Sequence, residues 1–157
     1  MRAAVAAGQR DFGENKVQEG LLKRAEVADS TLNWHLIGHL QSNKARKAAE
    51  SFEWIQAVDS ASLLQRVDEA ARAAGRRPTV LVQVDLAGEA TKHGAPPEAL
   101  AEIFAAAEQC TAAEVAGLMT LPPAVEDAEE ARPWFVRLRG VRDQLAAAGV
   151  PAARLRE

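Results

Sequence analysis

The chain has 157 residues, with 19 Lys and Arg against 22 Asp and Glu, which gives a formal net charge of −3. A chain of this length has room for one domain, which we assign to residues 1–157. The acidic balance argues against a nucleic-acid partner, and the apolar runs are too short for a membrane partner. The single cysteine, Cys110, is typical of a reducing compartment, so we expect a cytoplasmic protein.

Short apolar segments alternate along the chain with longer segments rich in alanine and charged residues. The apolar segments predict strands at 10–13, 33–38, 53–58, 79–86 and 115–121. The segments between and after them predict helices at 16–28, 43–49, 61–74, 97–110 and 128–148. Strands that alternate with helices in this way predict an α/β fold with a parallel sheet and crossover helices.

Several residues mark the ends of the predicted helices. Ser60 is placed to cap the helix at 61–74, and Gly75 is placed to end it. Ser42 or Asn43 is placed to cap the helix that follows the second strand. Uncapped N–H groups at the start of that helix would then suit an anion.

Polar side chains lie near the carboxyl ends of the predicted strands, where α/β folds place their ligands. Gln83 shares a strand face with Asp85, and His35 shares one with Ile37 and His39. His35 and His39 are too far apart along a strand to hold one metal ion, so we predict no metal site. The sequence offers no set of catalytic residues.

Two further positions admit more than one interpretation. Asn15 follows the first strand and is either a helix cap or a donor and acceptor for a ligand. The loop at 88–94 follows the most apolar strand, and it either carries a reactive Lys92 or His93 or is a solvated turn.

Five segments together resemble one family. They are residues 12–19, 34–44, 58–60, 83–94 and 117–120. On these segments the chain is similar, over nearly its whole length, to the pyridoxal phosphate homeostasis proteins (YggS/PROSC type). That family is related to the N-terminal barrel of alanine racemase.

The resemblance implies a (β/α)₈ TIM-type barrel that binds, carries and buffers pyridoxal 5′-phosphate without catalytic turnover. Family members are expected to be monomeric. Asn15, His35, Ile37 and Met119 match positions that lie near the cofactor or line its pocket. Such a pocket needs an amine for the aldehyde, apolar walls for the pyridine ring and N–H donors for the phosphate.

The chain departs from the family pattern at both ends. In the family, a Schiff-base lysine lies on a strand that precedes residues 12–15, and only 11 residues without lysine stand before Phe12. The last two family strands, which hold the phosphate, also have no match. We therefore expect an incomplete barrel, with strands that match the second to the sixth of eight.

Three consequences follow from this comparison with the family. We expect cofactor binding to be impaired, because Lys16, Lys44 and Lys92 follow strands rather than lie on them. We expect the exposed strand edges to promote self-association. The alternative function is a fragment of a racemase-like pyridoxal-phosphate-dependent enzyme, which would need an acid–base residue and usually a second domain.

Overall fold

Among the residues that the structure describes, five strands lie side by side in the order in which they occur along the chain, and every neighbouring pair is parallel. The computed structural model describes residues 1–88 and 93–157. The strands are β1 (Asp11–Glu14), β2 (Asn33–Leu36), β3 (Trp54–Val58), β4 (Thr79–Gln83) and β5 (Glu114–Met119). The predicted α/β fold with a parallel sheet is confirmed.

Helices connect the strands. They are α1 (Arg2–Ala6), α2 (Val17–Val27), α3 (Ala45–Ser51), α4 (Ala61–Ala73), α5 (Leu100–Gln109) and α6 (Ala128–Ala147). Short 3₁₀ turns lie at Ser42–Lys44, Pro97–Ala99 and Ala152–Arg154. Because parallel crossovers are right-handed and the strand order is sequential, α2 to α5 lie on one face of the sheet. Within the described ranges, no helix combines the length and the apolar character needed to span a bilayer.

The helix-covered face of the sheet and the helices enclose one continuous hydrophobic core. Trp34 and Leu36 on β2, Ile55 on β3 and Val80 on β4 are all almost completely buried in it. On β2 the alternate residues, Asn33 and His35, lie on the opposite face and are more exposed. The strand period of two therefore separates an apolar face from a face open to a ligand.

The predicted elements are present, but three strands end before their predicted ends and one predicted cap is missing. β2 and β5 each end two residues early, so Ile37 and His39 lie beyond β2 rather than on it. Ser60 caps α4 by accepting a hydrogen bond from the backbone N–H of Leu63 at 3.3 Å. Gly75 follows that helix with φ +64°, as a helix end favours. The cap predicted at Ser42 or Asn43 is wrong, because both residues lie inside a 3₁₀ turn with no side-chain cap.

Strand β4 ends three residues before its predicted end. The carboxylate of Asp85 accepts hydrogen bonds from the backbone N–H groups of Ala87 (3.0 Å) and Gly88 (2.9 Å). This local turn competes with the extended backbone. Val84 instead pairs with Ala95, so the chain returns to the sheet after the loop.

Two carboxylates, the partly buried Glu53 and the buried Asp68, fix the opposite edge of the sheet, where the strands begin. Glu53 accepts from Arg24 at 2.9 Å, from Arg76 at 2.8 Å and from the backbone N–H of Trp34 at 2.9 Å. Burial alone would raise the pKa of Glu53, but these donors outweigh it and hold the pKa below its ordinary value. Asp68 on α4 accepts from three backbone N–H groups at 2.7–2.9 Å, those of residues 111–113.

The Asp68 contact yields a stability prediction. Asp68→Ala leaves three N–H groups without an acceptor beside the start of β5, so we expect urea denaturation to show a loss of about 2–4 kcal/mol. Glu69→Ala is the matched control, because Glu69 is exposed on the same helix. Equal effects of the two substitutions would contradict the role given to Asp68.

Candidate functional site

The carboxyl ends of all five strands lie at one edge of the sheet, which we call the carboxyl edge. Parallel pairing requires this arrangement, and it is where α/β folds place ligands. Of the predicted site residues, Asn15 and Ile37 directly follow β1 and β2, and Met119 ends β5. His35 precedes Ile37 by two residues and lies on the same face of the sheet. This face, which is turned away from the helices, we call the open face.

Asn15 and Ile37 are brought together by close backbone contact. The N–H of Ile37 donates to the carbonyl of Glu14 at 2.9 Å, which continues the β1–β2 pairing. A Cβ at Gly38 would overlap the carbonyl oxygen of Asn15, so this approach requires glycine. The Ile37 side chain covers Gly13, where a Cβ would lie 3.1 Å from Cδ1 of Ile37. Because Gly13 and Gly38 have no side chain, Ile37 can lie against β1, where it forms an apolar patch beside the exposed amide of Asn15.

Asn15 does not cap the helix that follows it. The residue that precedes α2 is Lys16, and no side chain caps that helix end. The cap interpretation of Asn15 is therefore wrong, and its amide stays exposed at the carboxyl edge.

His35 is held on the open face by contacts on three sides. Its ring stacks on Trp54 with centroids 5.3 Å apart and planes 8° apart. Gln56 Nε2 lies 2.9 Å from Nδ1, and Asp11 Oδ1 lies 3.2 Å from Nε2. Because an amide nitrogen donates, Nδ1 of His35 is the acceptor. Nε2 therefore carries the ring proton and donates a hydrogen bond to Asp11. Both ring nitrogens are thus engaged, and the ring itself forms a flat wall.

Asp11 completes this network. Asn33 donates to Asp11 Oδ1 at 2.9 Å. The hydrogen bonds from Asn33 and His35 hold the pKa of Asp11 below its ordinary value. A carboxylate that remains charged is a suitable acceptor for the His35 N–H.

Met119 lies on the other side of the carboxyl edge. It pairs with Gln83 on β4 and is separated from Ile37 by three strand spacings, roughly 14 Å along the sheet. Gln83 is buried and donates to the backbone carbonyl of His93 at 2.7 Å. The structure therefore groups Asn15, His35 and Ile37 on one side and leaves Met119 on the other.

Residues 93–95, which we call the return segment, lie across the carboxyl edge beside the end of β3. Ala95 donates to the carbonyl of Gln83 at 2.8 Å and accepts from the N–H of Asp85 at 2.9 Å. The rings of His39 and His93 stack with centroids 3.5 Å apart and planes 10° apart. This contact is not predictable from the sequence, because 54 residues separate the two histidines and neither lies in a strand.

The described lysines do not face the open side of the sheet from a strand. Lys16 is largely exposed and donates to Glu19 at 2.8 Å, a hydrogen bond that raises the pKa of Lys16. Lys23 on α2 donates to the buried carboxylate of Glu14 at 2.6 Å. Lys92 lies outside the described residues. Burial raises the pKa of the Cys110 thiol to about 11, so that thiol is a poor nucleophile.

Two other grooves lie on the helical side of the molecule. One, of about 630 Å³, lies between α3 and α4 and includes Ser42, Asn43, Arg46 and Arg66 in its lining. The other, of about 420 Å³, runs along α6 past Phe135. Neither contains a predicted site residue, so the carboxyl edge remains the candidate site.

Comparisons with known proteins agree with this architecture. The family model described as alanine racemase, N-terminal domain, matches residues 1–156. The pyridoxal phosphate homeostasis protein of Pseudomonas aeruginosa is 46% identical over 140 residues, which is 88% of this chain and 60% of that protein. The protein of the same name from Aquifex aeolicus is 38% identical over 138 residues, which is again 88% of this chain and 60% of that protein. The chain thus spans about 60% of the length of the curated relatives it matches.

Solved structures give the same result. PipY from Synechococcus elongatus, solved without PLP and with PLP bound, matches with TM-scores of 0.89 and 0.88 at 42% identity. The matches cover 98% of this chain and 72% and 71% of the PipY chains. An alanine racemase from Clostridium difficile 630 is 20% identical, with a TM-score of 0.76 over 97% of this chain and 39% of that one. This last likeness concerns the fold alone. The family resemblance and the barrel-type fold predicted from the motifs are confirmed.

The contact between Gly38 and Asn15 yields a second stability prediction. Gly38→Ala pushes the two backbones apart, so we expect a loss of about 1–3 kcal/mol in urea denaturation and displaced amide resonances at Asn15. Gly140→Ala is the control, because a Cβ there meets open space within α6. That variant should gain about 0.5–1 kcal/mol. A Gly38→Ala protein as stable as the parent would show that the close approach is not required.

Proposed function

The chain belongs to the alanine racemase N-terminal-domain family, and on that premise we propose that it forms one side of a pocket for pyridoxal 5′-phosphate. In this proposal the protein binds and buffers the cofactor and does not turn over a substrate. The observation that carries the proposal is the grouping of Asn15 and Ile37 at the carboxyl edge, with His35 below Ile37 on the same face of the sheet. The names of the homeostasis relatives and the PLP-bound PipY structure support it.

The described residues fit one wall of such a pocket. Ile37 offers apolar surface to a pyridine ring, and the exposed amide of Asn15 offers both a donor and an acceptor. His35 is fixed flat by Trp54 and Gln56, so it adds a rigid wall below them. Met119 adds a polarizable side chain from the opposite side of the edge.

The same residues do not supply the rest of the pocket. Bound pyridoxal phosphate provides an aldehyde and an electron-withdrawing ring, and capturing that aldehyde requires an unprotonated amine. Among the residues that the structure describes, no lysine lies on a strand. We therefore propose that this chain binds the cofactor weakly and without a covalent bond.

We also propose that the protein is not an enzyme. A racemase needs an acid–base group placed across the cofactor from the lysine. On the described open face, the two nitrogens of His35 are already engaged by Asp11 and Gln56. The similarity to alanine racemase at 20% identity concerns fold alone, so it gives no support to a racemase activity.

Fluorescence tests the proposed pocket. Trp54 lies on the open face at the start of β3, so pyridoxal phosphate bound at the carboxyl edge should quench it weakly but saturably, and Trp54→Phe should reduce the quenching. Asn15→Ala should weaken the apparent affinity roughly three- to tenfold, the effect of one lost hydrogen bond. Asn43→Ala, an exposed amide on the helical side, is the control.

Two results would contradict this proposal. One is quenching that does not saturate or that is equal in the Asn15→Ala and Asn43→Ala variants. The other is a stoichiometric pyridoxyl adduct on one lysine after borohydride reduction, detected by mass spectrometry. Loss of such an adduct in Lys92→Ala would identify Lys92 as the amine.

We further propose that the chain self-associates through its outer strands. The outer edge of β1 is partly covered by Gln9, whose side chain donates to the carbonyl of Asp11 at 2.7 Å. The outer edge of β5 is paired only with residues 156 and 157 among the described residues. Open parallel edges favour pairing with another chain. Sedimentation velocity should show a concentration-dependent increase in mass, and a monomer at all concentrations would refute the proposal.

A further inference from the structure

The stacked histidines and the return segment form a unit that the proposed function does not use. The return segment is attached to β4 by the hydrogen bonds of Ala95 and by the side chain of Gln83, which holds the carbonyl of His93. Gly94 makes this path possible, since its φ of +141° is strained for other residues and a Cβ would lie 2.7 Å from the Asp85 nitrogen. On the side away from β4, His93 of the return segment stacks on His39, which follows β2.

We propose that His39 and His93 form a proton-sensitive contact that holds the return segment across the carboxyl edge. Two neutral imidazole rings at a 3.5 Å centroid distance lie face to face in van der Waals contact, with no net charge on either ring. Two imidazolium rings at that distance repel each other, because their like charges face one another with little water between them. Protonation therefore favours separation of the return segment from the segment after β2.

The charges around the pair determine the direction of the effect. Burial lowers the pKa of His39, and the nearby His93 lowers it further. Asp59 at the end of β3 opposes them weakly, because its Oδ2 lies 3.9 Å from Nδ1 of His39. Asp85 is occupied by its own turn, and Glu89 and Lys92 lie outside the described residues.

The lowered pKa of His39 in the stacked arrangement determines the pH range over which the contact is lost. Above the ordinary histidine value of 6.5, His39 is neutral and the contact is complete. As the pH falls below that value, His39 binds a proton more readily when separated from His93 than when stacked on it, so the contact is progressively lost. Histidine is the side chain whose ordinary pKa allows this change near neutral pH.

Hydrogen exchange followed by NMR tests the proposal on the chain without cofactor, so the outcome is independent of the proposed pocket. The reporters are the amides of Ala95 and Asp85, with the amide of Val82 in the centre of β4 as the internal reference. Between about pH 7.5 and about pH 5.5, the protection of the two reporters relative to Val82, corrected for intrinsic rates, should fall roughly three- to tenfold. His39→Phe keeps a flat ring without a charge and should show no such fall.

His35→Phe is the matched control, because it removes the third histidine of the chain and leaves the pair intact. It should behave as the parent does. Equal protection at both pH values in the parent, or an equal fall in His39→Phe, would overturn the proposal. Should a variant fail to fold, the three histidine ring resonances of the parent decide the matter. Mutual dependence of the His39 and His93 titrations supports the contact, and two independent single-step titrations refute it.

Discussion

Parallel pairing of the five strands is the constraint on which the rest of the structure depends. Each β-to-β connection must cross the sheet, which forces a helix between successive strands and buries one face of every strand. The same constraint gathers all carboxyl ends at one edge. Asn15, Ile37 and Met119 are thus placed at a common edge although more than 100 positions separate the first from the last.

On the open face, polar side chains hold one another in place through hydrogen bonds. The chain of contacts from Asn33 through Asp11 and His35 to Gln56 joins three strands. Trp54 fixes the plane of the imidazole. A rigid wall of this kind reduces the entropy cost of binding a flat ligand, which is consistent with a pocket for a pyridine cofactor.

The sequence predicts the strands and helices well because the period of apolar residues changes clearly between them. Ser60 was predictable as a cap because its contact with Leu63 is local. Ser42 and Asn43 have equally favourable chemistry, but the backbone enters a 3₁₀ turn there, which no side-chain preference reveals. Asp85 shortened β4 by bonding its own turn, a competition that the apolar run of the strand conceals.

Contacts between distant segments were beyond prediction from one sequence. The three donors to Asp68 come from a loop more than 40 residues away, and nothing in the helix pattern of α4 identifies that aspartate as buried. The stack of His39 on His93 depends on Gly94 and on the return of the chain to β4. Likewise, residue type marked His35 as a site candidate, but only the structure shows that both of its nitrogens are engaged.

The central claim is that this chain contributes the wall around Asn15 and Ile37 to a pyridoxal phosphate pocket. The most direct test is a titration of the ¹⁵N-labelled chain with pyridoxal phosphate, followed by ¹H–¹⁵N correlation spectra. We predict saturable shifts at the amides of Asn15, Ile37 and Gly38, with smaller shifts at the amide of Met119. Shifts confined to the groove between α3 and α4 or to α6, or no saturable shifts at all, would contradict it.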